Sequence, residues 1–223
     1  LYVHLMTDIS EKHLQEQRIL ELNQTLRILN KILRHDLLNY ISVVSMSTEL
    51  IKTQDIKIKQ KSLEALDKSV ELINKMRELE SAISSGGELK IYDVRDILDN
   101  VVMNFVGINF NILGSSKVLA DEALFSIFTN LINNAVIHGK TERIDILIEN
   151  KETFCIIKIV DYGEGIPHEF KANVFDEGFS NRDKGLGLGL FIVKKTIERY
   201  GGEVSLEDTV PQGTTIILKL KRP

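Results

Sequence analysis

From about Ser10 to Lys52 the chain contains neither glycine nor proline. A helix of that length, about forty residues and roughly 60 Å long, cannot bury its apolar stripe on itself. It needs partner helices. Asp8-Ile9-Ser10-Glu11 has the spacing of a capping box ahead of it. Leu22, Leu26, Leu29, Leu33, Asp36, Tyr40 and Val43 then follow alternating steps of four and three residues, a coiled-coil-like seam. A second helix is predicted beyond the polar break Thr53-Gln54-Asp55. There Ile58, Leu63, Leu66, Val70, Ile73, Met76, Leu79 and Ile83 recur at helical spacing, and Gly86-Gly87 ends the pattern after about Ser84. Two antiparallel helices make half of a bundle, so a homodimer of four helices is expected. The alternative is a monomer whose hairpin packs on the downstream domain.

His35 lies one residue off the seam and is expected to face solvent. Asp36 follows it directly, and Asn39 sits one turn further along the same face. An exposed imidazole with a carboxylate and an amide close by has the makings of a nucleophile. Taken alone, these residues are better explained as an ordinary surface histidine and its neighbours.

Past Gly87 the texture changes. Helices are predicted for Val94 to Phe105, Asp121 to His138 and Leu186 to Tyr200. Strands are predicted for Ile108 to Ile112, Lys117 to Leu119, Arg143 to Glu149, Thr153 to Val160, Glu203 to Leu206 and Thr214 to Leu220. A hairpin joins two of these near Asn150-Lys151. Helices interleaved with a largely antiparallel sheet indicate an α/β sandwich, so the whole chain is expected to be α+β. The predicted organisation is a strand-like linker or sensor remnant over 1–9, a helical hairpin over 10–87, and an α/β domain over 88–223.

Three motifs in the second domain carry chemistry. Asp161-Tyr162-Gly163-Glu164-Gly165 follows an apolar strand. Gly163 and Gly165 allow close approach by a ligand, and Asp161 can accept a hydrogen bond from an exocyclic amine. The competing dinucleotide fingerprint fails, because it needs a third glycine and a helix where this chain has Pro167-His168. Gly185-Leu186-Gly187-Leu188-Gly189-Leu190 opens a helix, so its backbone N–H groups and the helix dipole favour an anion. Lys184 precedes these glycines and no Gly-Lys-Ser/Thr follows them, which excludes a P-loop. Asn130 and Asn134 share one helix face, and an amide oxygen there suits a Mg²⁺ that takes its other ligands from water and phosphate. Each motif alone also fits a bland reading: a structural turn, glycines packed between helix and sheet, or surface asparagines.

Together, Asn130-x-x-x-Asn134-Ala135, Asp161-x-Gly163-x-Gly165, Phe175-Asp-Glu-Gly-Phe179, Gly185-x-Gly187-Leu-Gly189-Leu190 and Gly213-Thr214-Thr215 resemble, in order and spacing, the ATP-binding domain of the sensor histidine kinases. His35-Asp36-x-x-Asn39 resembles that family's phosphoacceptor box. The resemblance extends from about Ser10 to Pro223, and residues 2–10 are similar to the exit of a PAS sensor domain.

The resemblance implies a Bergerat-type ATP-binding domain behind a dimeric, four-helix phosphoacceptor hairpin. ATP would bind with Asp161 on the adenine amine and Thr214 nearby, and Mg²⁺ would sit on Asn134 with Asn130 one turn away. The segment from Phe175 to Gly189 would be a mobile lid offering Lys184 and Arg182 to phosphate, with Phe175 and Phe179 as lid anchors, docking surface or core aromatics. His35 would take the γ-phosphoryl group, with Asp36 orienting its ring, and pass it to the receiver domain of a response regulator. Asn39 would position water for the reverse, phosphatase reaction. In related ATPases of the gyrase and MutL type a glutamate stands at the position of Asn130. An amide lacks useful basicity, so transfer to His35 is favoured over hydrolysis, and a hydrolytic clamp and a nucleotide-binding scaffold rank as rivals. Two departures stand out. Leu38-Asn39-Tyr40 replaces the family's Arg-Thr-Pro, so no proline kinks the first helix. Ile137 replaces a basic residue, leaving His138 as its candidate substitute.

Composition narrows the partners. Lys and Arg number 28 against 32 Asp and Glu, which lacks the basic excess that a nucleic-acid partner requires. Cys155 is the single cysteine, so no internal disulfide can form and a reducing, cytoplasmic setting is expected. No run of about eighteen apolar residues spans a membrane, and the start at Leu1 leads us to expect a fragment whose sensor or anchor lies upstream.

Overall fold

The computed structural model describes residues 38–50, 56–83, 88–179 and 187–223. It divides into two compact units between Arg77 and Glu78.

Among the described residues, the helices of the first part are α1 (Leu38–Leu50) and α2 (Ile56–Ile83), the latter running across the division. On α2 the side chains of Ser62, Ala65 and Leu72 are buried, whereas Leu63, Leu66, Val70 and Ile73 are exposed. Half of the predicted apolar stripe therefore faces outward in a single chain.

The second unit is an α/β sandwich. Strand β1 (Lys90–Asp93) leads directly into α3 (Val94–Val102), whose N-cap Asp93 accepts from the Arg95 N–H at 2.9 Å. Next come β2 (Asn109–Leu113), β3 (Lys117–Ala120) and α4 (Ala123–Asn133), which runs on as a π-helical turn over Asn134–His138. Then follow the hairpin β4 (Arg143–Asn150) and β5 (Phe154–Asp161), a short 3₁₀ turn at His168–Phe170, α5 (Gly189–Arg199), β6 (Glu203–Asp208) and β7 (Thr214–Lys221). β1 pairs only with β3, antiparallel, while the main sheet has five strands in the order β2-β4-β5-β7-β6.

The strict alternation of buried and partly exposed residues along β5 shows one covered face and one open face. On the covered face Ile144, Ile146, Ile157, Ile159, Leu218 and Leu220 meet Leu98, Val101, Leu124, Phe128, Val193 and Ile197 from the helices, all at most 2% exposed. Leu131 and Ala135, predicted to pack on the sheet, join this core.

The structure differs from these expectations at two places. β1 was not foreseen, because four residues ahead of a helix carry too little alternation to register. The helix expected from Asp121 begins at Ala123 and changes to a π turn at Asn134. The main sheet is largely antiparallel, as the sequence predicts; β2 and β4 run parallel, since the connection between them crosses through β3 and α4.

Candidate functional site

Asp161 is the last residue of β5 and is 7% exposed. Its Oδ1 accepts from the Gly163 N–H at 3.0 Å and from the Thr214 N–H at 3.2 Å. Both bonds fall on the same oxygen, so Oδ2 remains for a ligand. Burial pushes the carboxyl above its ordinary value, against the two backbone N–H groups that draw it down. A buried carboxylate with one oxygen caged and the other directed elsewhere is suited to accept from an amine. Thr214 is itself buried.

The turn after Asp161 lies directly on the end of the α4 segment. Glu164 N–H donates to the Gly139 carbonyl at 2.8 Å, and a Cβ on Gly163 would stand 2.1 Å from that same oxygen. Only glycine permits this approach. The Tyr162 N–H donates to Thr141 Oγ1 at 3.3 Å, and Thr141 Oγ1 donates to the Arg143 carbonyl at 2.7 Å. Lys140 Nζ reaches Glu164 Oε1 at 2.5 Å, and Gln212 Nε2 donates to the Glu164 carbonyl at 3.2 Å. Thr141, Gly139 and Gln212 therefore hold the turn from both flanks. None was foreseen from the sequence, where only the short Gly139-Lys140-Thr141 break marks the place.

The π turn brings the Gly139 N–H to the Asn134 carbonyl, five residues back, at 3.1 Å. Single π turns inside α-helices are common at functional sites. Asn130 is buried, and its Nδ2 donates to Ser126 Oγ at 3.3 Å and to Glu78 Oε2 at 3.2 Å. At the start of α5, a Cβ on Gly189 would lie 3.4 Å from Asn130 Oδ1 and 4.0 Å from Asn134 Nδ2. The two amides thus meet the N-terminus of a helix, where N–H groups and dipole favour an anion. Hard oxygen donors on amides, next to a site for phosphate, fit a Mg²⁺ that takes most of its ligands from phosphate and water. Among the described residues no three histidine, cysteine or acidic side chains gather into a metal cluster.

Gly187 has φ of 64°, and a Cβ there would meet the Phe179 carbonyl oxygen at 2.5 Å. Phe179 packs against Phe170 at a tilt, with ring centroids 5.5 Å apart, and Phe175 packs against the core. His35, Asp36, Arg182, Lys184 and Gly185 lie outside the described residues. Asn39 is exposed on α1, Ile137 is 62% exposed, and no described helix is long and apolar enough to cross a membrane.

Residues 120–223 match the histidine kinase-, DNA gyrase B- and HSP90-like ATPase family. Over these residues the chain is similar to the ATPase domains of that family. The chain as a whole is similar to sensor histidine kinases. It is 29% identical over 214 residues to the sensor protein SrrB of Staphylococcus aureus strain MRSA252, a match covering 85% of this chain and 37% of SrrB. The chain thus spans little more than a third of the length of the curated relatives it matches. A solved mycobacterial sensor histidine kinase, MprB, is 26% identical with a TM-score of 0.53, over 60% of this chain and 99% of that one. The histidine kinase ThkA, solved in complex with the response regulator protein TrrA, shares the fold. Its TM-score is 0.75 at 20% identity, over 95% of this chain and 66% of that one. Within the matched residues, Asp161, Gly163, Thr214 and the Asn130–Asn134 pair converge on one end of the sheet and helix layer.

Proposed function

We propose that the chain is the transmitter part of a sensor histidine kinase, which phosphorylates His35 from ATP and passes the phosphoryl group to an aspartate in a response regulator receiver domain. The observation that carries this reading is the caging of Asp161 through one oxygen, beside a glycine turn and an amide pair that meets a helix N-terminus. In this reading Asp161 Oδ2 accepts from the adenine amine and the N-terminus of α5 faces the phosphates. Asn134 would hold Mg²⁺ at the phosphates, with Asn130 one turn away, and the ion would neutralise charge there. A ring nitrogen of His35 attacks the γ-phosphorus, the bond to the β-phosphate oxygen breaks, and ADP leaves while the ring proton passes to solvent. Asp36 orients the ring.

The buried amide at Asn130 supports phosphotransfer over hydrolysis, since it offers no base for water. Pairing with a second copy is supported by the exposed stripe of Leu63, Leu66, Val70 and Ile73 on α2. A response regulator as partner is supported by the ThkA–TrrA complex, and the exposed position of Asn39 supports a phosphatase role. Consumption of ATP supports a cytoplasmic setting for this part of the protein. The test is incubation with Mg-ATP labelled at the γ-phosphate. Acid-labile, base-stable label that vanishes in His35→Gln is expected, whereas rapid release of free phosphate from an unlabelled chain overturns the reading in favour of a hydrolase.

A further inference from the structure

The open face of the sheet carries one polar cluster at the end where β5 delivers Asp161. Tyr162 donates its hydroxyl to Asp145 Oδ2 at 2.7 Å. Arg143 grips the same carboxylate with both arms of its fork, Nη2 to Oδ2 at 2.6 Å and Nε to Oδ1 at 3.1 Å. The guanidinium also lies 4.9 Å from the centroid of the Tyr162 ring. Asp145 is only 8% exposed although it belongs to the uncovered face, because Arg143 and Tyr162 close over it. Arg143, against the cost of burial and with help from Tyr162 and Asn111, holds its carboxyl below the usual carboxylate range.

Tyr162 stands between Asp161 and Gly163, the residue whose N–H cages Asp161 Oδ1. Its own N–H is taken by Thr141 and its hydroxyl by Asp145, a residue 17 positions earlier in the chain. A residue held at both backbone and side-chain tip cannot rotate the peptides on either side of it. The direction of Asp161 Oδ2 depends on those peptides.

We propose that the Tyr162–Asp145–Arg143 cluster is a positioning device for adenine recognition, fixing the 161–163 turn from the far face of the sheet so that Asp161 Oδ2 points at the exocyclic amine. This rests on the adenine reading of Asp161 given above. Tyr162, Asp145 and Arg143 touch no nucleotide themselves; they act through Asp161.

The experiment compares ADP with inosine diphosphate, which carries a carbonyl oxygen in place of the adenine amine, by competition against a fluorescent nucleotide on the whole chain with Mg²⁺ present. A site built around a hydrogen bond to the amine discriminates strongly against the analogue that lacks it. Tyr162→Phe keeps the ring and its stacking on Arg143 and removes only the hydroxyl. ADP affinity is expected to fall about fivefold while that for inosine diphosphate changes less than about twofold, so that the preference shrinks. Asp145→Ala is the second variant, expected to shrink the preference in the same way should Tyr162→Phe fold poorly by thermal melting. An unchanged preference in both variants, or equal loss for both nucleotides, overturns the positioning role while leaving the adenine reading intact. Equal affinity of the unaltered chain for the two nucleotides overturns the adenine reading and the positioning role together.

Discussion

The Tyr200 hydroxyl donates to Oδ1 of Asp121, joining the C-terminal end of α5 to the residue ahead of α4 across 79 positions of sequence. Arg199 Nη1 pairs with the other oxygen at 2.7 Å, and the Ala123 N–H donates to Oδ1 at 3.0 Å. One mostly buried carboxylate therefore clamps the two helices that carry the amide pair and the anion-facing N-terminus.

Removing this clamp costs stability. Tyr200→Phe is expected to lower the unfolding free energy by about 1.5–3 kcal/mol, the range for a bond to a charged partner, as read from urea unfolding. Burial, then the hydrogen bond to Asp121, raises the tyrosine above its ordinary value near 10. A raised folded-state value means a stabilisation that is full below about pH 10 and is lost as pH climbs from there through the folded value. Tyr200→Phe should flatten that alkaline fall. The carboxyl of Asp121 moves the other way: burial raises it, but bonds from Arg199 and Tyr200 outweigh burial and leave it lowered. Its contribution should persist above about pH 4 and fade as the solution is acidified further.

Asp161→Asn separates binding from folding. The substitution keeps an oxygen for the N–H groups of Gly163 and Thr214 but removes a buried charge whose folded-state value is raised. For the raised carboxyl, stability present below about pH 4 is lost as pH rises through the folded value, so at neutral pH the native domain carries a penalty. The variant is expected to match or exceed the unaltered chain in thermal midpoint at pH 7 while its ADP affinity falls at least about tenfold. Scanning calorimetry with and without nucleotide reads both.

Gly163→Ala tests the close approach to residue 139. A Cβ 2.1 Å from the Gly139 oxygen forces the turn away from the end of the π segment. Overpacking of this kind costs about 1–3 kcal/mol, and nucleotide binding should weaken with it. Native stability with normal binding would show that the turn can be displaced without consequence.

Much of this architecture is legible in residue order, and the reasons differ from element to element. The alternation of Ile144, Ile146 and Ile148 along β4 and the helical spacing of Leu124, Ile127, Phe128 and Leu131 give the layers directly. Glycine marks position 163 because close approach leaves few other choices there. The clamp of Asp121 with Tyr200 and the cluster of Tyr162, Asp145 and Arg143 leave no local trace, since their partners lie 79 and 17 residues apart and ordinary surface residues have the same composition. The parallel pairing of β2 with β4 is equally silent, because a five-residue strand shows the same alternation whichever way its neighbour runs.

Asn39→Ala addresses the proposed reversal of phosphotransfer. Its expected effect is a phosphatase rate towards the phosphorylated regulator lowered about tenfold or more with His35 labelling spared. Equal loss of both activities counts against a water-positioning amide.

Association is testable through the open stripe of α2. The chain should scatter light as a dimer at micromolar concentration, and Leu66→Glu, which places a charge among Leu63, Val70 and Ile73, should shift it to a monomer. A monomeric unaltered chain excludes the pairing.

The wide turn at Asn134–His138 sets a constraint of another kind. It holds one residue more than an α-helical turn, and that surplus brings the Gly139 carbonyl under Gly163. Deleting any single residue of this turn would swing Gly139 by about 100° about the axis and shift it along by about 1.5 Å. What is fixed here is phase rather than chemistry. Ile137, 62% exposed, is free to change its side chain but not to be removed, because what it supplies is the length of its backbone.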